Sequence, residues 1–108
     1  MKQISAAEFD VEVLRSKEPV LVDFFTDGCQ PCRMMSPVLH ELETESDGRF
    51  KVVKVDAAAE SQLAASYGVR AVPAFYAFTN GKCVGQTIGA KSKANMSKWF
   101  EDSTRTAA

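Results

Sequence analysis

The stretch "VLVDFFTDGCQPCRMMSP", residues 20–37, joins an apolar run to an abrupt turn and a pair of cysteines. Its first six residues are apolar apart from Asp23, and β-branched and aromatic side chains dominate, as in strands that are buried on both faces. After the cysteines, apolar residues recur at helical spacing, which predicts a helix over about 30–46 with an internal proline as a kink. Cys29 and Cys32 therefore lie where a buried strand gives way to a helix.

The rest of the chain alternates between helix and strand signals, without repeats, low-complexity segments or linkers. A capping-box spacing at Ser5–Glu8 marks one helix start, Gly68 is a natural left-handed helix end, and Asn80-Gly81 is a strong hairpin turn. In chain order, the other predicted elements are a short edge strand at 2–4, a helix over 6–16, a strand over 50–55, a helix over 57–67, a hairpin of 74–79 and 82–88, and a helix over 92–102.

This order of elements predicts an α/β fold with a mixed sheet and helices on both faces. A parallel strand–helix–strand unit forms the first half, and an antiparallel hairpin joins it in the second. At 108 residues, the chain is expected to be a single domain over 1–108 that buries its own core. The small polar residues at about 104–108 are expected to form a frayed tail.

Composition and charge argue against several classes of protein. The chain has 13 basic and 14 acidic side chains and a formal net charge of −1, so we predict no basic surface for nucleic acid or anionic lipid. No apolar run is long enough to span a bilayer, and no signal-peptide core is apparent, so a cytoplasmic protein without a membrane partner is expected. Three cysteines favour one functional pair and a spare residue over a structural disulfide framework.

The spacing of Cys29 and Cys32 predicts a redox pair at the amino terminus of a helix. Unpaired amides and the helix dipole favour negative charge there, so we expect Cys29 to be the more readily ionised thiol. Cys32 follows one helical turn later on the same side, and Pro31 suits a first helical turn. In this arrangement, Cys29 would attack a substrate disulfide and Cys32 would then resolve the mixed disulfide.

Asp23 is the one charged residue of the predicted buried strand, six residues before Cys29. Burial raises the pKa of a carboxyl group, so Asp23 could accept and return the proton of Cys32 during resolution. The alternative is a core aspartate that is hydrogen-bonded to the backbone or to Lys54, since buried ion pairs also perturb pKa values. The residues by themselves leave both interpretations open.

A metal site is the main alternative for the cysteine pair. Structural zinc needs four ligands, and the chain lacks a second CxxC or CxxH motif. Cys83 is predicted on the hairpin and His40 on the outer face of the kinked helix, so we do not expect them to converge and predict no metal site. We expect Cys83 to be a small, buried strand residue and His40 to be solvated.

Several segments resemble the thioredoxin family, and so does their spacing, with no insertion from about residue 20 to residue 100. The resemblance implies the thioredoxin fold, a central mixed five-stranded sheet flanked by four helices, and dithiol–disulfide exchange. It implies disulfide-containing proteins as substrates, no bound cofactor, and electrons from NADPH through a flavin-dependent thioredoxin reductase. We also expect a monomer. The segments are "VLVDFF", "CQPCRMMSPVL", "VVKVDAA", "YGVRAVPAFYAFTNGK" and "IGAKSK".

The resemblance also assigns roles residue by residue. Cys29 matches the family's nucleophile and Cys32 its resolving cysteine, which implies a redox disulfide between them. Asp23 matches the buried acid and Lys54 the lysine near it. Pro73 matches the cis-proline that faces this disulfide, and Pro37 matches the kinking proline. The residues of the implied substrate groove are Gly28, Gln30, Pro31, Val72, Pro73 and Gly89.

Two positions depart from the family's usual Trp-Cys-Gly-Pro-Cys pattern, because Gly28 replaces the tryptophan and Gln30 the glycine. Residues around such a pair influence thiolate stability and reduction potential. A protein-disulfide reductase is the main prediction, and a more oxidising disulfide oxidoreductase or isomerase is an alternative. A second alternative is a non-catalytic binding module that uses the groove around Pro73, against which the intact cysteine pair argues.

Overall fold

The structure is a computed structural model that describes residues 1–105. Its order of elements is the one that the sequence predicts, including the edge strand near the amino terminus and both strands of the hairpin. In chain order, the elements are β1 (Lys2–Gln3), α1 (Ala6–Phe9), a π-helical turn (Asp10–Leu14), β2 (Val20–Phe25), α2 (Gln30–Ser46), β3 (Lys51–Asp56), α3 (Ser61–Ser66), β4 (Ala74–Thr79), β5 (Lys82–Ile88) and α4 (Lys93–Arg105).

The five strands form one mixed sheet in the order β1-β3-β2-β4-β5. β3 runs parallel to β1 and β2, whereas β4 is antiparallel to both β2 and β5. β2 lies at the centre, and all six of its residues are buried, as its apolar composition predicts. The predicted α/β fold with a mixed five-stranded sheet and four helices is confirmed.

Two apolar cores lie on opposite faces of the sheet, because successive side chains of β2 alternate between the faces. Val20, Val22 and Phe24 belong to one core, and Leu21 belongs to the other. The alternation places Asp23 on the same face as Leu21, under α2. The helices contribute Phe9 and Ala64 to the first core and Met35, Leu39, Leu42, Met96 and Phe100 to the second.

Three helix boundaries differ from the prediction. The first helix gives way to a π-helical turn instead of continuing to 16. α3 begins late, because the Asp56 Oδ1 atom accepts hydrogen bonds from the Ala58 and Ala59 amides, at 2.9 and 3.1 Å, and holds these residues in a turn. α4 continues to Arg105, whose guanidinium lies 2.6 Å from the Asp102 carboxylate.

The carboxyl-terminal tail is therefore partly helical. Thr104 and Arg105, which the sequence predicted to be frayed, belong to the last turn of α4. The hydroxyl of Thr104 donates to the backbone oxygen of Phe100 at 2.9 Å, which helps to hold that turn. The rest of the predicted tail, 106–108, lies outside the described residues.

Candidate active site

The site forms where β2 ends and α2 begins. Cys29 is the N-cap of α2, with extended backbone angles, and Pro31 lies in the first turn as predicted. The Cys29 amide donates to the backbone oxygen of Thr26 at 3.2 Å, which closes the turn between strand and helix. The Cys32 amide donates to the Cys29 sulfur at 3.1 Å, so the cysteine side chain caps its own helix.

Cys29 and Cys32 are joined by a disulfide, with their Cα atoms 5.2 Å apart. The two residues differ in access to solvent, because Cys29 is half-buried while Cys32 is only 4% exposed. An incoming sulfur can therefore reach Cys29 more easily than Cys32. This arrangement is what a nucleophile and a resolving thiol require, since exchange depends on which sulfur is accessible.

Asp23 is fully buried in the centre of β2. Neither of its carboxylate oxygens has a hydrogen-bond partner among residues 1–105, so the alternative of a core aspartate hydrogen-bonded to the backbone or to Lys54 is wrong. Desolvation by burial raises the pKa of Asp23 from 3.8 to about 7, and the charge of Lys54 opposes this rise. Near neutral pH, the Asp23 carboxyl is therefore divided between its acid and its ionised form.

Lys54 is paired in register with Asp23 across the parallel strands β2 and β3. Its Nζ atom lies 4.5 Å from the centroid of the Phe25 ring, which is a cation–π arrangement. The ammonium group is thus close enough to lower the pKa of Asp23, although it makes no hydrogen bond to the carboxylate.

A small cavity of about 140 Å³ lies beside the resolving cysteine. Cys32 and Lys54 both line it, whereas Asp23 does not. Lys54 thus lines the cavity and is also the residue whose charge acts on the pKa of the Asp23 carboxyl. The full lining is Phe25, Thr26, Asp27, Cys32, Arg33, Ser36 and Lys54.

The predicted groove residues lie at the same end of the fold. The peptide bond between Val72 and Pro73 is cis, and Pro73 is buried. The Gly89 amide donates to the Pro73 oxygen at 2.9 Å, so two of the predicted groove residues are in direct contact. Gly28 and Gln30, on either side of Cys29, are exposed, and no atom of the described chain would lie within 4 Å of a Cβ at Gly28.

Arg33, which was not predicted as a site residue, lines the cavity beside Cys32. Its Nη2 atom donates to the backbone oxygen of Asp27 at 2.7 Å, which ties the first turn of α2 to the loop before the cysteines. A cation directly after the CxxC motif was the available signal. Its side-chain direction, however, depends on how the loop packs.

Two further predictions concern His40 and Cys83, which are the side chains considered as additional metal ligands. His40 is exposed on α2, as predicted. Cys83 lies on the hairpin as predicted, but it is an exposed free cysteine rather than a buried one, because β5 is an edge strand. Its thiol is partly desolvated, which raises its pKa.

Among residues 1–105, no group of three or more His, Cys, Asp or Glu side chains is placed to hold a metal ion. No helix in this range has the length and apolar character to cross a bilayer.

Comparison with known proteins gives a consistent result along nearly the whole chain. The family model described as Thioredoxin matches residues 1–102. Thioredoxin 1 of Nostoc sp. is 40% identical over 99 residues, which are 92% of this chain and 92% of that protein. Thioredoxin of Synechocystis sp. is 38% identical over 99 residues, again 92% of each chain. Thioredoxin of Rhodospirillum rubrum is 37% identical over 103 residues, 95% of this chain and 99% of that protein.

Proposed function

Because the chain belongs to the thioredoxin family and is a thiol–disulfide oxidoreductase that reduces protein disulfides, we propose how its residues divide the reaction. Cys29 is the nucleophile, Cys32 the resolving thiol and Asp23 the proton acceptor. The observation that carries this assignment is the Cys29–Cys32 disulfide at the start of α2, in which Cys29 is the more accessible residue.

The first step is attack by the Cys29 thiolate on one sulfur of a substrate disulfide. A new sulfur–sulfur bond joins Cys29 to the substrate, and the other substrate sulfur leaves as a thiolate. The N-cap position supports the ionised form of Cys29, because the amide of Cys32 points at its sulfur and the helix dipole favours negative charge.

The second step is attack by Cys32 on the sulfur of Cys29, which releases the substrate with both of its sulfurs reduced. The buried Cys32 thiol must first lose its proton. Asp23 lies on the face of β2 that α2 covers, and its raised pKa suits a base that works near neutral pH. Cys32 lines a cavity together with Lys54, whose charge acts on Asp23, so we propose that the proton passes between Cys32 and Asp23 on this side of the site.

Substrate binding is assigned to the surface around the cysteines. Gly28, Gln30 and Pro31 form its α2 side, and Val72, Pro73 and Gly89 form the other. An extended substrate chain would pair with the backbone next to Pro73, as in strand addition. The contact between Gly89 and Pro73 supports a continuous groove on that side.

Electrons for the next cycle come from NADPH, through a flavin-dependent thioredoxin reductase, with no cofactor bound to this chain. A monomer is sufficient, since all the proposed site residues lie in one chain. We also propose a cytoplasmic location, because a disulfide reductase needs a compartment in which thiols are kept reduced.

Neither of the two alternative functions is favoured by the comparisons. A non-catalytic binding module is not favoured, because the cysteine pair and the family match both support turnover. A more oxidising disulfide oxidoreductase or isomerase is likewise not favoured by the family match, although the exposed Gly28 and Gln30 that flank Cys29 depart from the usual family pattern. The reduction potential of the Cys29–Cys32 couple, measured against glutathione, separates a reductase from an oxidant.

A single-turnover experiment tests the proposed reaction. The reduced chain is mixed with a protein disulfide in the absence of other reductants, and the thiols of both proteins are counted with time. We expect one substrate disulfide to be reduced for each Cys29–Cys32 disulfide that forms. Substrate reduction without loss of these two thiols would refute the assignment.

A further inference from the structure

The cavity beside Cys32 is lined by several groups that can bind an anion. Two cations, Arg33 and Lys54, line it together with the hydroxyl groups of Thr26 and Ser36. Neither hydroxyl donates or accepts a side-chain hydrogen bond within residues 1–105, so both are available to a ligand. The cavity is close to the amino terminus of α2, where the helix dipole adds to the positive potential.

The two cations are not neutralised by direct ion pairs. No carboxylate of the described chain forms a salt bridge with Arg33 or Lys54. Arg33 uses one N–H group on the Asp27 backbone oxygen, which leaves other donors of its guanidinium free. Asp27 is the one acidic residue in the lining, and it is exposed, so water screens its charge. Lys54 also interacts with the buried Asp23 carboxyl, so Arg33 is the cation on which anion binding chiefly depends.

We propose that this cavity selects small disulfides that carry a carboxylate a few atoms from the reacting sulfur, with Arg33 and Lys54 as specificity-determining residues. The volume of about 140 Å³ suits a short acidic arm rather than a folded protein segment. The inference rests on the proposed function, because it concerns which substrates the Cys29 thiolate accepts.

The reaction with such a substrate follows the same balanced exchange. The Cys29 thiolate forms a bond to one sulfur of the small disulfide, and the first half leaves as a thiolate. Cys32 then loses its proton and attacks Cys29, which releases the second half as a thiolate. The cysteine pair is oxidised by two electrons and the small disulfide is reduced by two. Because the cavity lies beside Cys32, the acidic arm of the mixed disulfide can contact Arg33 before the second step.

Three small disulfides of similar size test the proposal: the doubly anionic dithiodipropionate, the neutral hydroxyethyl disulfide and the doubly cationic cystamine. Each oxidises the reduced chain at low ionic strength, and loss of the Cys29 and Cys32 thiols gives the rate constant. The readout is the ratio of the anionic to the neutral rate constant, in which any change in the ionisation of Cys29 cancels. The net charge of −1 would by itself disfavour the anion, so a ratio above unity has a local cause.

Arg33→Gln is expected to lower this ratio about threefold to fivefold, which is the upper part of the range for an exposed ion pair. Arg33→Glu should reverse the order, so that cystamine reacts faster than the anion. Arg49→Gln is the matched control, because Arg49 also donates to a backbone oxygen, that of Ser46 at 2.8 Å, but follows the other end of α2. We expect the control to leave the ratio unchanged.

The outcomes separate this inference from the proposed function. An unchanged ratio in Arg33→Gln, or an equal change in Arg49→Gln, would overturn the selectivity while leaving the reaction with the neutral disulfide intact. Failure of the Arg33→Glu chain to favour cystamine would also overturn it, because a purely structural role for Arg33 predicts no reversal. If the unmodified chain does not react with the neutral disulfide, the proposed function itself is wrong and the inference is overturned with it.

Discussion

Asp23 and Lys54 are opposite each other in the register of the central parallel strands, yet the Asp23 carboxylate is without a hydrogen-bond partner among residues 1–105. Lys54 instead places its ammonium group over the ring of Phe25. The buried carboxyl therefore feels a nearby positive charge that offsets only part of the desolvation, and its pKa rises to about 7. A carboxyl group in this range can take up and return a proton near neutral pH.

Burial of Asp23 should make the folded chain less stable as pH rises. Well below pH 3.8, Asp23 is protonated in both the folded and the unfolded chain. Between its ordinary pKa of 3.8 and about 7, the unfolded chain releases this proton while the folded chain keeps it, so the free energy of unfolding falls. This difference in pKa corresponds to about 4 kcal/mol, at about 1.4 kcal/mol for each pH unit.

Asp23→Asn should remove this penalty, since the amide is uncharged at every pH. In urea denaturation of the disulfide form, we expect a gain in stability of up to about 4 kcal/mol at pH 8 that disappears below pH 4. Asp27→Asn is the control, because Asp27 is exposed near the same end of the sheet. An equal gain for Asp23→Asn at both pH values would show that its charge is not responsible.

Removal of the Lys54 charge should raise the pKa of Asp23 further. In Lys54→Gln, the remaining influence on Asp23 is desolvation, so the fall in stability with pH should continue beyond pH 7. The Asp23 carboxyl carbon, followed by NMR as pH is varied, gives the pKa directly. Lys51→Gln serves as the control on the same strand, because Lys51 pairs with Glu12 at 3.4 Å and not with Asp23. A lower Asp23 pKa in Lys54→Gln would contradict this account of the pair.

The two cysteines should fail in different ways when they are replaced. Cys29→Ser is expected to abolish reduction of a protein disulfide, because the nucleophilic sulfur is absent. Cys32→Ser should still form the mixed disulfide but not resolve it, so a covalent complex with the substrate should accumulate and be visible by mass spectrometry. Both variants are best made together with Cys83→Ser, since Cys83 is an exposed free thiol. Undiminished turnover by Cys29→Ser would disprove the mechanism.

Much of the fold could be predicted because the turn residues and the pattern of apolar residues in the sequence indicate the same elements. The apolar run of β2 and the Asn80-Gly81 turn indicate the central strand and the hairpin, whose observed bounds are those predicted. The cis bond before Pro73 and the order of the site segments followed from the family resemblance. Strong local signals of this kind are retained when the chain packs.

The remaining features depend on packing that local patterns do not specify. The late start of α3 results from the hydrogen bonds that Asp56 accepts, and the exposure of Cys83 results from the position of β5 at the sheet edge. The missing hydrogen bonds of Asp23 and the side chain of Arg33 in the cavity are properties of the assembled structure. A sequence can indicate that such residues are present, but it does not show which hydrogen bonds their side chains make or where those side chains point.

Gly28 offers the most direct test of why this chain departs from the family pattern. Its backbone is outside the left-handed region, and nothing in the described chain would contact a Cβ there, so a larger side chain should fit without strain. Gly28→Trp is therefore expected to change the free energy of unfolding by no more than about 0.5 kcal/mol.

The same variant should react faster with protein substrates. Partial burial of the indole against a bound protein would contribute about 1 kcal/mol, or about a fivefold rise in kcat/KM. A small neutral disulfide cannot cover the ring, so its rate constant should stay the same. Gly28→Ser controls for loss of the glycine, because it adds a side chain without the apolar surface. Equal acceleration of both substrates by Gly28→Trp would mean that the residue acts on the reactivity of Cys29 rather than on substrate contact.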